Sequence, residues 1–117
     1  MLVGDLNIAP LAEDVWSTKQ LRNVVSHTKI ERENLIAMQG RGGWVDAVRD
    51  YFGADERLYS WWSYRARDYI SSNRGRRLDH VWTSTDLAPQ IQKVEIHSNT
   101  RGWKQPSDHV PISLQIR

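Results

Sequence analysis

Ser107-Asp108-His109-Val110-Pro111-Ile112-Ser113-Leu114-Gln115-Ile116 is the stretch on which the reading of this chain turns. Successive side chains of a strand point to opposite faces, so Val110, Ile112, Leu114 and Ile116 share one apolar face of a half-buried strand. Asp108 has the same parity and is expected at the mouth of that strand, with His109 turned the other way. Pro111 has no N–H for a ladder, so the strand is expected to begin late or to lie near an edge. Two further strings place polar groups in the same way. In Gly4-Asp5-Leu6-Asn7, Asp5 and Asn7 share parity with Val3. In Arg77-Leu78-Asp79-His80, Asp79 shares parity with Val81 and opposes Leu78, His80 and Trp82.

Three acid-bearing strand ends can converge on one cleft, and these are the side chains that phosphodiester hydrolysis needs. Carboxylates bind hard divalent cations through oxygen, and a carboxylate or imidazole can take a proton from water. An amide can steer the attacking water. Taken singly, Gly-Asp-x-Asn is an ordinary turn sequence, and its weight comes from the order and strand context of the three strings.

Five further segments sharpen this: Glu31-Arg32-Glu33, Trp44-Val45-Asp46, Tyr59-Ser60-Trp61-Trp62-Ser63-Tyr64-Arg65, Asn73-Arg74-Gly75-Arg76-Arg77-Leu78-Asp79 and Pro106-Ser107-Asp108-His109. With Val3 to Pro10, they resemble the carboxy-terminal half of exonuclease III, within the endonuclease/exonuclease/phosphatase superfamily. The resemblance implies an α+β fold, half of a four-layer α/β sandwich, with mostly one mixed or antiparallel sheet and flanking helices, residues 1–117 forming the carboxy-terminal half of one domain. It implies metal-assisted hydrolysis of DNA at abasic sites and 3′ ends, with Mg²⁺ or Mn²⁺ as the ion. Asp5 would move a proton or ligate metal, and Asn7 would orient water, ligate metal or hold the scissile phosphate. Asp108 would be a metal ligand or support the imidazole. Asp79 would fix the tautomer of His109, which would contact the phosphate, take a proton or join the metal ligands. Trp61, Arg76 and Leu78 would line the pocket for an abasic site, and Tyr64 and Arg65 would touch DNA beside it. Family members are longer, and their amino-terminal half supplies a metal-binding Glu, an early Asn and a catalytic Tyr that have no counterpart among these residues. The fragment alone is therefore expected to be nearly inactive and to bind divalent ions poorly. It is also expected to pair through the bare Val110–Ile116 face with the missing half or with a second copy.

Composition is compatible with this reading. At 117 residues, 39% hydrophobic and 26% charged, the chain has ordinary globular content. It has no cysteine, which removes disulfide and thiolate chemistry and suits a reducing cytoplasm. No apolar run is long enough for a membrane span and no basic-then-apolar leader is present, so a membrane partner is not expected. The net charge is only +2 but unevenly spread. From Arg57 to Arg77 there are six Arg and one acid, Asp68, among Tyr59, Trp61, Trp62, Tyr64 and Tyr69. That mixture suits a nucleic-acid backbone with an opened or missing base; the competing reading is a solvated Arg loop around core aromatics. A phosphoinositide or sphingomyelin phosphodiesterase would share the acidic strings but not this segment, and a non-catalytic binding module is the third reading.

The remaining pattern is one compact unit. Pro10 to Lys19 reads as an irregular loop with Glu13, Asp14 and an anchoring Trp16. Thr28 and Glu31 form a capping box for a helix ending at Gly40, and a second helix is expected from Trp44 to Phe52. Strands are expected near Tyr59–Trp62, Leu78–Thr83, Gln92–His97 and His109–Ile116. His27, His80 and His97 are expected to be structural.

Overall fold

The computed structural model describes residues 1–117. β1 (Leu2–Asp5) leads through a loop and a short 3-10 turn at Ala12–Asp14 to α1 (Thr18–Leu21) and α2 (Lys29–Gly42). β2 (Val45–Asp46) and α3 (Ala47–Phe52) follow, then a long irregular segment holding α4 (Tyr69–Ser72). β3 (Asp79–Thr83), β4 (Ile91–Ile96) and β5 (Ile112–Ile116) complete the chain. This is the expected α+β class with antiparallel pairing throughout, but the pairing is divided. One sheet has the order β1-β3-β2, and β4 and β5 form a separate hairpin-like pair. No helix is long and apolar enough to cross a membrane.

Several expected boundaries move, each for a local reason. α2 starts where the capping box places it: Thr28 Oγ1 accepts from the Glu31 N–H and Glu31 Oε1 accepts from the Thr28 N–H. It passes Gly40 and stops at Gly42, because the left-handed residue that turns the chain is Gly43, at φ 64°. The helix expected from Trp44 begins only at Ala47. Val45 and Asp46 pair instead with Thr83 and Trp82 on β3, and Asp46 Oδ1 caps α3 by accepting from the Arg49 N–H. No strand forms at Tyr59–Trp62; Trp61 makes only isolated bridges, to Arg76 and to His109. The last strand starts at Ile112, directly after Pro111, so the alternation does not extend back to Asp108 and His109. Nor does Asn7 continue β1, since its φ of 59° turns the backbone after Asp5.

The core is three small clusters. Ala47, Val48, Leu58, Val81 and Val94 form the first, and Ile112 and Leu114 pack against it. The β5 face expected to lie bare is therefore half-covered by the α3 side of the molecule, and Val110 is buried with Tyr59 and Trp62 in another cluster. The exposed apolar strand is β1, where Val3 is 63% exposed. The third cluster, Ala9, Val15, Leu21 and Leu78, lies under the loop that follows β1.

One polar knot joins these parts. Asp14, fully buried on the 3-10 turn, accepts from Arg77 Nε at 2.7 Å and Nη2 at 3.1 Å, and from Arg49. Arg77 also forms a fork on Asp46, at 2.9 and 2.8 Å. The run of Arg residues is thus not a uniform solvated loop, because Arg77 has no exposed surface. Burial alone would lower the Arg77 pKa, but the charges and hydrogen bonds of Asp14 and Asp46 reverse this and raise it. Burial likewise acts to raise Asp46, and the Arg77 hydrogen bond overrides it, leaving Asp46 below the usual carboxylate range.

Candidate active site

The antiparallel register of β1 and β3 sets Asp5 opposite Asp79. Opposed residues of such a pair project to one face, so two carboxylates stand side by side at the end of the sheet. The third component arrives on the loop before β5. That loop is fastened by the Trp62 N–H donating to Asp108 O at 3.0 Å and the Val110 N–H donating to Ser60 O at 2.8 Å. Between these anchors His109 Nδ1 donates to Asp79 Oδ2 at 2.8 Å, which leaves Nε2 facing Asp5 Oδ2 at 3.7 Å. Ligand atoms of Asp5, Asp79 and His109 all lie within 4.8 Å of one another. The side chains are 40%, 22% and 31% exposed, so the group is open to a substrate. Burial pulls the His109 pKa down, but the Asp79 hydrogen bond with the charges of Asp79, Asp5 and Asp108 raises it on balance. The imidazolium is thus more favoured than in a free histidine, with one N–H held by Asp79 and the other ring nitrogen facing Asp5.

Asn7 and Asp108 stand beside this group and are not in it. The Asn7 N–H donates to Asp5 Oδ1 at 2.9 Å, which fixes that carboxylate, while Asn7 lines the adjoining cavity. Asp108 Oδ2 accepts from the Trp61 indole N–H at 3.0 Å. Its carboxylate therefore orients an aromatic wall as well as adding negative charge near His109.

Ser60 is the residue that sequence reasoning missed. It is fully buried, and its Oγ accepts from the N–H groups of Leu78 and Asp79 at 3.0 and 3.1 Å, so one hydroxyl sets where β3 begins. Its place inside Tyr59-Ser60-Trp61 was the only signal. The loop after β1 is held by histidines of the expected structural kind: His80 Nε2 bonds to Ile8 O and His27 Nδ1 to Ala9 O, both at 2.7 Å. Burial lowers the pKa of each, which keeps the rings neutral. His97 meets Ser113 Oγ at 2.8 Å, away from the cleft.

Two cavities flank the Trp61–Arg76 pair. The first, about 480 Å³, is lined by Asn7, Trp61, Arg76 and Leu78 together with Val25 and Ser26. The second, about 430 Å³, is lined by Trp16, Trp61, Arg65, Arg74 and Arg76. The Arg76 guanidinium sits 5.1 Å from the Trp61 ring centroid and is tied by Nη1 to Ser26 Oγ at 3.0 Å. Of the five expected substrate contacts, Trp61, Arg76 and Leu78 share the first cavity, and Arg65 reaches only the second. Tyr64 lines neither: its hydroxyl donates to Pro106 O at 2.9 Å.

The donor set bears on a divalent cation. Two carboxylates and an imidazole make a mixed set of two oxygen-bearing groups and one nitrogen, and the Asp79–His109 hydrogen bond engages two of the three with each other. Asp5, 40% exposed, is the member most open to an ion. A hard cation that wants about six oxygens finds a partial site here.

Comparison with known proteins agrees with this geometry. The sequence profile of the Endonuclease/Exonuclease/phosphatase family matches residues 1–109. An exodeoxyribonuclease of Bacillus subtilis is 37% identical over 99% of this chain and 44% of its own length. An AP endonuclease structure from Archaeoglobus fulgidus superposes with a TM-score of 0.90 at 29% identity, over 97% of this chain and 44% of that one. A 3′ phosphatase from Neisseria bound to product DNA hairpin gives 0.87 at 27% identity, over 99% and 44%. The chain thus spans less than half the length of these relatives. A profile match over nearly the whole chain, the Asp5–Asp79–His109 cluster and the shared fold lead to one conclusion: the chain belongs to the endonuclease/exonuclease/phosphatase family.

Proposed function

We propose that these residues form the carboxy-terminal half of an exonuclease III-type DNA repair nuclease, hydrolysing phosphodiesters at abasic sites and 3′ ends of duplex DNA. The observation that carries this reading is the Asp79–His109 pair at 2.8 Å, opposed by Asp5 and set beside the Trp61–Arg76 wall. Asp79 holds the imidazole with its second N–H toward the cleft, where a phosphate oxygen would accept it and the raised pKa would favour the charged donor. Asp5 would accept the proton of the attacking water or hold the metal ion, with Asn7 orienting that water. Asp108 would keep Trp61 in place. The cavity of Trp61, Arg76 and Leu78 would receive the sugar of the abasic nucleotide against the wall that the Trp61 ring and the Arg76 guanidinium form together. Mg²⁺ or Mn²⁺ held at Asp5 and its neighbours would polarise the phosphoryl oxygen. A cytoplasmic site suits a cysteine-free chain working on DNA.

The partial donor set supports a further part of the reading: alone, the chain is nearly inactive, and the amino-terminal half of a relative completes it. Incubation with an abasic-site duplex and Mg²⁺ tests this. Little cleavage is expected from the chain alone, with cleavage restored by the amino-terminal half of the Bacillus relative in trans and abolished by EDTA or by His109→Ala. A demonstrably formed complex that leaves abasic DNA intact, or that cleaves a phosphoinositide head group instead, would sink the proposal.

A further inference from the structure

Arg101 is 7% exposed, yet it takes part in none of the chain's ion pairs. Its Nε donates to Trp62 O at 3.2 Å and its Nη2 to Ser63 O at 3.1 Å. The guanidinium lies between two rings, 5.1 Å from the Tyr64 centroid and 5.4 Å from that of Tyr69. Both tyrosines reach back to the loop that carries Arg101: Tyr64 Oη donates to Pro106 O at 2.9 Å and Tyr69 Oη to Ser98 O at 3.3 Å. Gly102 is packed so closely there that a Cβ would stand 3.1 Å from Tyr69 Oη. Residues 98–106 are therefore locked onto residues 62–69 by hydrogen bonds at both ends and a stacked cation in the middle.

What this lock presents is an indole in water. Trp103, two residues after the clamp, is 64% exposed, with exposed Lys104 next to it and Ile70 74% exposed on α4. Segments 62–76 and 98–107 expose Arg65, Arg67, Arg74 and Lys104 against one acid, Asp68, and that carboxylate is occupied in capping α4. A rigidly held aromatic in a basic surround is complementary to a nucleic-acid strand, which offers phosphates to the cations and a base or sugar face to the ring. An acidic protein partner would answer the cations, but a nucleic acid sets a flat face for the indole beside every phosphate.

We propose that Trp103 and Lys104 form a second DNA contact, separate from the Trp61–Arg76 cavity, and that Arg101 is the positioning residue that holds it in place. The proposal rests on the DNA reading of the cleft. Trp103 stacks on a base or wedges against a sugar of the strand outside the cleft, Lys104 meets a phosphate, and Arg101 touches neither.

Fluorescence anisotropy with a labelled duplex carrying a stable abasic analogue, in EDTA so that nothing is cleaved, tests this with the full chain. Trp103→Ala is expected to weaken binding about tenfold with the salt dependence unchanged, and Trp103→Phe, which keeps a stacking face, to retain most of the affinity. Lys104→Ala should instead reduce the slope of log affinity against log salt by about one. Arg101→Met should weaken binding about as much as Trp103→Ala, and the double variant no more than either, because one acts through the other. If Arg101→Met fails to fold, the two surface variants still decide. Binding lost in Trp61→Ala but unchanged in Trp103→Ala overturns this inference alone, as do additive losses in the double variant. No binding by the parent chain overturns it together with the DNA reading.

Discussion

The cleft at the end of β1 and β3 and the knot around Arg77 are built from the same materials, aspartates and basic side chains, and Arg77 stands just ahead of Asp79 at the start of β3. In the knot every charge is matched: Arg77 spends its fork on Asp14 and Asp46 with no exposed surface, and Arg49 donates to the same Asp14 oxygen as Arg77 Nε. In the cleft the charges are unequal and wet, with two carboxylates and a neighbouring third around one imidazole. Buried charges without partners are costly, so a matched knot has a structural purpose. An unmatched, solvated cluster retains unspent capacity to bind charge, which is what the proposed function asks of it.

The largest expected effect breaks that contrast on the structural side. Arg77→Met leaves Asp46 without its fork and Asp14 with Arg49 as its one cationic partner, in a buried region joining the 3-10 turn, β2 and β3. Removing one partner of such a group costs about 3–5 kcal/mol, and urea denaturation followed by circular dichroism should show that loss. A change below about 1 kcal/mol would mean that the knot is hydrated and its matching is incidental.

Ser60→Ala is next. It leaves the N–H groups of Leu78 and Asp79 without the hydroxyl they share, a loss of about 1–3 kcal/mol for a buried site. Because Asp79 is one of those residues, the substitution should also disturb the His109 hydrogen bond, visible in the imidazole resonances. This effect lies between the two regions, since one hydroxyl supports the fold and aims a cleft carboxylate.

pH separates the regions by sign. His27 and His80 are held neutral by burial, with pKa values below the ordinary one. The unfolded chain therefore binds more protons below about pH 6.5, and their contribution to stability is present above that value and lost as pH falls through the folded pKa values. His109 is raised, so its contribution is full below about pH 6.5 and lost as pH rises through its folded pKa. In His109→Ala, the fall in stability above about pH 6.5 should be lost. In His27→Gln, the rise in stability leading up to about pH 6.5 should be shallower. Melting temperatures across the range test both.

Legibility in the sequence followed how local the physics was. The Thr28–Glu31 capping box and the late start imposed by Pro111 are local and were readable, as was the separation of Asp79 from His80 by parity, confirmed by the Asp79–His109 and His80–Ile8 bonds. What failed was long-range. Val45 and Asp46 look helical until β3 offers Thr83 and Trp82 as partners, and Arg77 looks solvated until Asp14, from the far side of the sequence, is placed against it. The role of Ser60 could not be read at all, because a hydroxyl that accepts two backbone N–H groups leaves no periodic trace. The resemblance supplied the grouping of Asp5, Asp79 and His109, which alternation alone only permitted.

The smallest expected change in stability gives the sharpest contrast with Arg77→Met. Asp79→Asn keeps the shape of the side chain and removes one charge from a group whose side chain is 22% exposed. Partly solvated pairs of this kind contribute about 1 kcal/mol or less, so the denaturation midpoint should scarcely move. The consequences appear instead at the imidazole. Asp79 supplies both the hydrogen bond and the largest charge that raise the His109 pKa, and an amide supplies neither in full, so the His109 titration followed by NMR should move to lower pH. An amide can also present its N–H₂ to Nδ1 and favour the wrong tautomer, which in a reconstituted enzyme should cut cleavage by roughly 10⁴. A variant that loses stability as Arg77→Met does while leaving the His109 titration in place would make the two regions alike, and Asp79 would then belong with the knot.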